Sequence, residues 1–327
     1  MERRAMLALL ATFAAMGGGS LPALAWASEN KTVRLITPYP PGGPVDTAGR
    51  RLAEVLGKAN GNTYLVDNRS GAGGSIGTAE LTRAQPEGNT LGLALPDSLI
   101  NVVFTQSNPG YDPLKDLTLI AQFTSASPLI IVDPDLKVNT MDELVALAKA
   151  KPGLVSYGSW GTGSAPHLIM ASLEQLSGAK WLHVPYRGAQ PALQDLVGKQ
   201  VQIGFVPAHV AKIYQDKGWG VPVGVAGPGR VEQYPDVATL AEQGYDSAIT
   251  RSPLWMGVIG PRGMDPAQVQ TLAGEIEASL KTPAFVDALA AMSHVPDFKG
   301  PEAFQASVRE EYAAVEALMK ALGVKPE

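Results

Sequence analysis

The chain contains no cysteine, so a disulfide framework, a cysteine metal ligand and a lipid-anchored cysteine near the start are all excluded. Histidine is scarce: His167, His183, His209 and His294 are the full set, and no pair has metal-ligand spacing. Neither G-x-x-x-x-G-K-[ST] nor a G-x-G-x-x-G following a strand occurs, which removes the nucleotide-binding fingerprints. No stretch carries five or more like charges, and the formal net charge is −5, against a nucleic-acid or membrane-surface role. Beyond the N-terminus no apolar run approaches the length of a membrane span. The expectation is a protein without metal or cofactor.

What is present begins with a short basic start, Met1-Glu2-Arg3-Arg4, and an apolar run from Ala5 to Met16. Ala25-Trp26-Ala27 then places small residues where a signal peptidase reads. This three-part layout predicts a secretory signal peptide over residues 1–27 and an exported mature chain, Ser28 to Glu327, in the periplasm. The remaining length suffices for two domains of ordinary size.

Strand and helix patterns alternate from there, which argues for α/β domains rich in parallel sheet. The apolar run Val33 to Ile36 feeds Thr37-Pro38-Tyr39-Pro40-Pro41-Gly42-Gly43-Pro44-Val45-Asp46 and then a helix through Leu52, Val55 and Leu56. A strand entering a helix through a Gly/Pro-rich loop leaves the first helical N–H groups unpartnered, and with the helix dipole they form an anion site. Val155-Ser156-Tyr157 repeats the arrangement through Gly158-Ser159-Trp160-Gly161-Thr162-Gly163-Ser164-Ala165-Pro166-His167. Other strand ends carry polar turns, among them Pro96-Asp97-Ser98. Leu117 to Ile120 and Leu129 to Val132 read as buried strands, with Thr124 to Ser127 as a polar crossing between domains. Thr140-Met141-Asp142-Glu143 reads as a capping box, and the last helix places Phe304, Val308, Tyr312, Val315 and Leu322 on one face.

Gly73-Gly74-Ser75-Ile76-Gly77 matches the G-x-S-x-G pattern of a nucleophile elbow, but a polar turn stands where that motif needs a strand. Ser75 is therefore expected to sit in a turn that positions a helix, and no catalytic residues are assigned. In open α/β sheets ligands sit outside the carboxyl ends of the strands. Two such domains facing each other would hold a small anion between two helix starts, the design of a binding protein.

The segments Pro38 to Asp46, Asp67-Asn68-Arg69-Ser70-Gly71-Ala72-Gly73-Gly74, Gly161 to His167 and His183-Val184-Pro185-Tyr186-Arg187-Gly188-Ala189-Gln190-Pro191-Ala192-Leu193 resemble, in order and spacing, the extracytoplasmic solute-binding proteins of tripartite tricarboxylate transporters, the TctC or Bug family. The resemblance spans essentially the whole mature chain. It implies a two-lobed periplasmic binding protein fold, type II-like, with a hinge and a ligand cleft. Domain 1 would comprise 28–124 and 252–327, and domain 2 would comprise 125–251. It further implies a monomer that delivers a carboxylate to the membrane subunits of such a transporter, without nucleic acid and without being membrane-embedded. A ligand-presenting module for a sensor kinase, or a periplasmic enzyme on the same fold, are the alternatives.

The family likeness places the proximal carboxylate between two loops, here Tyr39, Pro41, Gly42, Gly43 and Asp46, and Gly161, Thr162, Gly163 and Ser164. Ser98 at its strand end, Trp160 inside the second loop and His167 in the first helical turns complete the near side, His167 most simply by bonding back to the loop. At the far side an acidic residue often follows the phenylalanine of Ile203-Gly204-Phe205 in the family; Val206 stands here, which weakens the case for an ammonium ligand. Arg251, before Trp255, is the candidate for gripping a second carboxylate, since arginine offers two parallel N–H groups. With Tyr39 and Trp160 flanking the loops, the expected ligand is a dicarboxylate, with an aromatic acid as a further option.

Overall fold

The structure, a computed structural model, describes residues 30–324 and 326. The expected signal peptide lies outside the described residues. Two mixed sheets organise the chain, and its elements alternate as the sequence pattern requires. They are β1 (Thr32–Thr37), α1 (Pro44–Asn60), β2 (Thr63–Asn68), α2 (Ser75–Leu81), β3 (Thr90–Ala94), α3 (Pro96–Leu99), β4 (Leu117–Ala126) and β5 (Leu129–Val132). There follow α4 (Met141–Ala150), β6 (Ser156–Ser159), α5 (Ala165–Ser177), β7 (Leu182–Pro185), α6 (Ala189–Val197), β8 (Ile203–Val206), α7 (Ala208–Asp216) and β9 (Val221–Val225). The chain ends with α8 (Ala248–Arg251), β10 (Leu254–Pro261), α9 (Pro266–Ser279), α10 (Pro283–Ala290), β11 (Val295–Lys299) and α11 (Pro301–Leu322).

The first sheet has the strand order β11-β4-β10-β3-β1-β2 and the second β7-β6-β8-β5-β9. Parallel pairing joins β1 to β2 and β3, and β6 to β7 and β8. The strands that follow the crossings are antiparallel to their neighbours: β10 to β3 and β4, and β5 to β8 and β9. Both sheets are therefore mixed, where the alternation of strand and helix suggested mainly parallel ones.

The chain crosses from the first sheet to the second in two residues, Ser127-Pro128, between β4 and β5. Thr124 and Ser125, expected to form that crossing, instead continue β4: Thr124 Oγ1 donates to the Val295 carbonyl at 2.7 Å, and both residues are buried. Buried polar side chains persist where such partners exist. The chain returns to the first sheet through Ser252-Pro253, between α8 and β10; Ala226 N–H bonds the Pro128 carbonyl and Gly227 N–H the Thr250 carbonyl, each at 3.0 Å, so the two crossings lie near each other.

Each sheet has its own apolar packing. Helix α1 buries Val45, Ala48, Leu52, Ala53 and Leu56 against β1 and β3, with Gly49 so close that a Cβ there would lie 2.5 Å from Leu93 Cδ1. Pro44 occupies the first turn and Gly61 the left-handed C-terminal position, which start and stop the helix. Leu129, Ile131, Leu196 and Val225 form a core of the second sheet. Helix α11 buries Phe304, Val308 and Val315 as its 3.6-residue spacing dictates, and it packs against β4 of the first sheet and α5 beside the second.

Candidate functional site

The carboxyl ends of β1, β2, β3, β6 and β7 converge on a cavity of about 400 Å³. Tyr39, Gly73, Asp97, Asn101, Thr105 and Gln106 line it from the first sheet's side. Trp160 to Ser164, with Tyr186 and Arg187, line it from the second. A strand-end crevice of this kind is where open α/β sheets receive ligands.

The second loop sits on the cavity wall as expected, and its conformation is fixed by its own polar groups. Gly161 N–H donates to Ser159 Oγ (3.2 Å), Ser164 N–H to the Gly161 carbonyl (3.2 Å) and Gly163 N–H to His167 Nδ1 (3.0 Å). Thr162 N–H has no partner among the described residues. The His167 ring stacks on His183 with centroids 4.3 Å apart, and His183 stacks on Tyr157 at 4.9 Å. Burial lowers the pKa of His167, and burial with the neighbouring His167 pushes His183 down to about 4. A neutral His167 keeps the lone pair that Gly163 needs. His167 is thus a strut beneath the loop rather than part of the cavity lining.

Ser159 Oγ and His183 Nε2 lie 2.7 Å apart, a serine–histidine pair. Ser159 is 0% exposed, so its oxygen is spent on the loop and is not presented to the cavity. Ser75 Oγ, at the start of α2, lies 2.8 Å from Gln106 Oε1 and 2.9 Å from the Ala72 carbonyl, which share its one hydroxyl hydrogen, and it holds Gln106 on the wall. Ser159 ends a strand but is closed off from the cavity, and Ser75 follows a turn, so neither has the open, strand-end placement of an activated nucleophile. Among the described residues no group of three His, Cys, Asp or Glu side chains is arranged to hold a metal ion.

The first loop contributes less than its sequence suggested. Tyr39 lines the cavity, but Pro41, Gly42 and Gly43 do not, and the first two are exposed. Asp46 is 3% exposed and takes bonds from Gly42 N–H (2.9 Å), Arg50 Nε (3.0 Å) and Asn68 Nδ2 (2.9 Å). Burial alone would raise its pKa; the bonds from Arg50, Gly42 and Asn68 outweigh that and hold it below the usual carboxylate range. Its role is to brace the loop. Ser98 is buried away from the cavity, and its Oγ accepts the Leu95 N–H at 3.2 Å.

Arg251 lies apart from this cavity. It lies in α8, paired with Asp246 at 3.0 Å, and lines a separate cavity of about 160 Å³ with Ser252, Lys299 and Glu311. Proximity to Trp255 in sequence did not reveal where its side chain points. The charged groups on the ligand-sized cavity are instead Asp97 and Arg187. Asp97 accepts Trp160 Nε1–H at 3.1 Å and Asn101 Nδ2–H at 2.8 Å, and burial raises its pKa. Its neighbour in the turn, Ser98, was the residue the sequence favoured. Arg187 stood within the quoted His183 to Leu193 motif without being assigned a role.

Comparison with known proteins agrees with this architecture. The family described as "Tripartite tricarboxylate transporter family receptor" matches residues 48–324. Protein BugT of Bordetella pertussis is 30% identical over 329 residues, covering 99% of both chains. The periplasmic binding protein BugD superposes with a TM-score of 0.74 at 30% identity, over 91% of this chain and 99% of that one. Rpa4515 of R. palustris, solved with adipate, gives a TM-score of 0.78 at 26% identity, over 92% and 100%. The two mixed sheets are the periplasmic binding protein fold, and the chain belongs to the tripartite tricarboxylate transporter receptor family.

Proposed function

We propose that the protein captures an organic carboxylate in the periplasm and hands it to the membrane subunits of a tripartite tricarboxylate-type transporter, as a monomer and without chemistry. The observation that carries this is the cavity between the two sheets, with a loop and helix start from the second facing strand ends of the first. Family membership and the adipate seen in Rpa4515 support the ligand class. Residues 28–124 with 252–327 act as one lobe and 125–251 as the other. Tyr39, Thr162, Ser164 and Arg187 are the ligand contacts we favour, with Asp46 and His167 holding the loops. A dicarboxylate was expected on the strength of Arg251; without that residue on the cavity, the reading rests on one carboxylate.

A thermal-shift panel of aliphatic and aromatic mono- and dicarboxylates tests it. An acid present at a hundredfold over its dissociation constant stabilises the folded state by about 2.7 kcal/mol, a shift of several degrees. No shift with any acid at millimolar concentration would remove the carboxylate assignment.

A further inference from the structure

The two charged side chains on the cavity come from opposite sides of it. Arg187, after β7, is exposed and has no ion-pair partner among the described residues. Asp97, after β3, takes the Trp160 indole N–H at 3.1 Å and the Asn101 amide N–H at 2.8 Å. The protein's own carboxylate therefore already stands on the cavity wall beside the second loop. Beside it Asn101 is 3% exposed, and its Oδ1 has no donor within the protein. Because Asn101 Nδ2 is committed to Asp97, the amide orientation is set and Oδ1 is left as a buried acceptor without a donor. The wall from the first sheet thus carries a carboxylate, while Arg187 and Thr162 on the wall from the second carry donors. A ligand carboxylate placed against Asp97 would set two like charges together in a partly dehydrated cleft. Its place is the Arg187 side, and the rest of the ligand then faces Asp97 and Asn101.

We propose that Asp97 is a specificity-determining residue that makes this cleft take a carboxylate whose other end is a hydrogen-bond donor, an ammonium or hydroxyl group, and reject a second carboxylate. The inference rests on the carboxylate-binding function proposed above. It also supplies from β3 the acidic partner that Val206 does not provide from β8.

Calorimetry at pH 8 on straight-chain four-, five- and six-carbon acids tests it, each acid prepared with a terminal methyl, hydroxyl, ammonium or carboxylate group. At the length that fits, the ammonium or hydroxyl form should bind the parent at least about tenfold more tightly than the dicarboxylate. In Asp97→Asn and Asp97→Ser, each checked for parent-like melting, the ammonium form should lose and the dicarboxylate gain. A dicarboxylate that binds the parent most tightly, or an order unchanged in both variants, overturns the proposal. The parent's order decides alone where a variant does not fold. If no acid of any length binds the parent, the carboxylate function falls and this inference with it, an outcome distinct from a wrong order.

Discussion

Glu311 accepts hydrogen bonds from Ser252 Oγ (2.9 Å) and Trp255 Nε1 (2.7 Å), yet burial pushes its pKa up to about 7. Lys299 opposes that rise, and Asp97 adds to it. A carboxyl raised in the folded state holds a proton that the unfolded chain releases near its ordinary value, so its contribution is full below about 4.5 and fades as pH climbs to about 7. His183 and His294, both pushed down to about 4 by burial, act in the other direction: their contribution is full above about 6.5 and is lost as pH falls toward 4. Relative to the parent, Glu311→Gln should gain stability on the order of 2 kcal/mol between pH 5 and pH 8, read from urea midpoints. A difference that stays constant with pH would mean that Glu311 is not the titrating group. Single residues were the least legible part of the sequence. Asp46 and His167 sit in the loops their motifs indicated, but as braces, and Asp97 was passed over inside a turn whose polarity is common to many strand ends.

Elements were easier to read because periodicity reports burial, and burial is what most elements share. Asp265 caps the helix starting at Pro266, its side chain accepting from the Ala267 and Gln268 N–H groups, a pattern that Asp265-Pro266 carries in the sequence. Thr140 likewise caps α4, although Glu143 turns to the Asn139 N–H and does not close the reciprocal box. The strand β11 escaped notice, since Val295-Pro296-Asp297-Phe298-Lys299 is a short edge strand carrying a proline and lacking clean alternation. The second loop provides the sharpest test at this scale. Gly163 has φ +80°, and a Cβ there would lie 2.5 Å from Thr105 Cγ2, a residue belonging to the opposite wall. Gly163→Ala should weaken ligand binding about tenfold or more while changing the melting temperature little, because both the left-handed backbone and the close approach resist the methyl group. Adding Thr105→Ser, which removes the opposing methyl, should recover part of the affinity. No recovery in the double variant would place the whole effect in the backbone of the loop.

For the whole molecule, the fold class followed from two strand–loop–helix units, whereas the mixed pairing of the sheets did not, because strand direction leaves no mark on a run of apolar residues. The chain joins the two sheets at Ser127-Pro128 and again at Ser252-Pro253, two short connections about which the proposed lobes would rotate. Saturating ligand should reduce the radius of gyration in solution scattering relative to the ligand-free protein, and an unchanged radius would count against hinge closure. Strand β10 has a further consequence. It lies between β3 and β4 in the first sheet, although it follows them by more than a hundred residues in the chain. A polypeptide emerging N-terminus first from a ribosome or a membrane pore therefore holds β3 and β4 with facing edges unpaired until Pro261 has emerged. Its N-terminal part cannot complete a folded lobe in the meantime, and that delay both keeps it threadable and makes it a client for whatever shields nascent strands from aggregation.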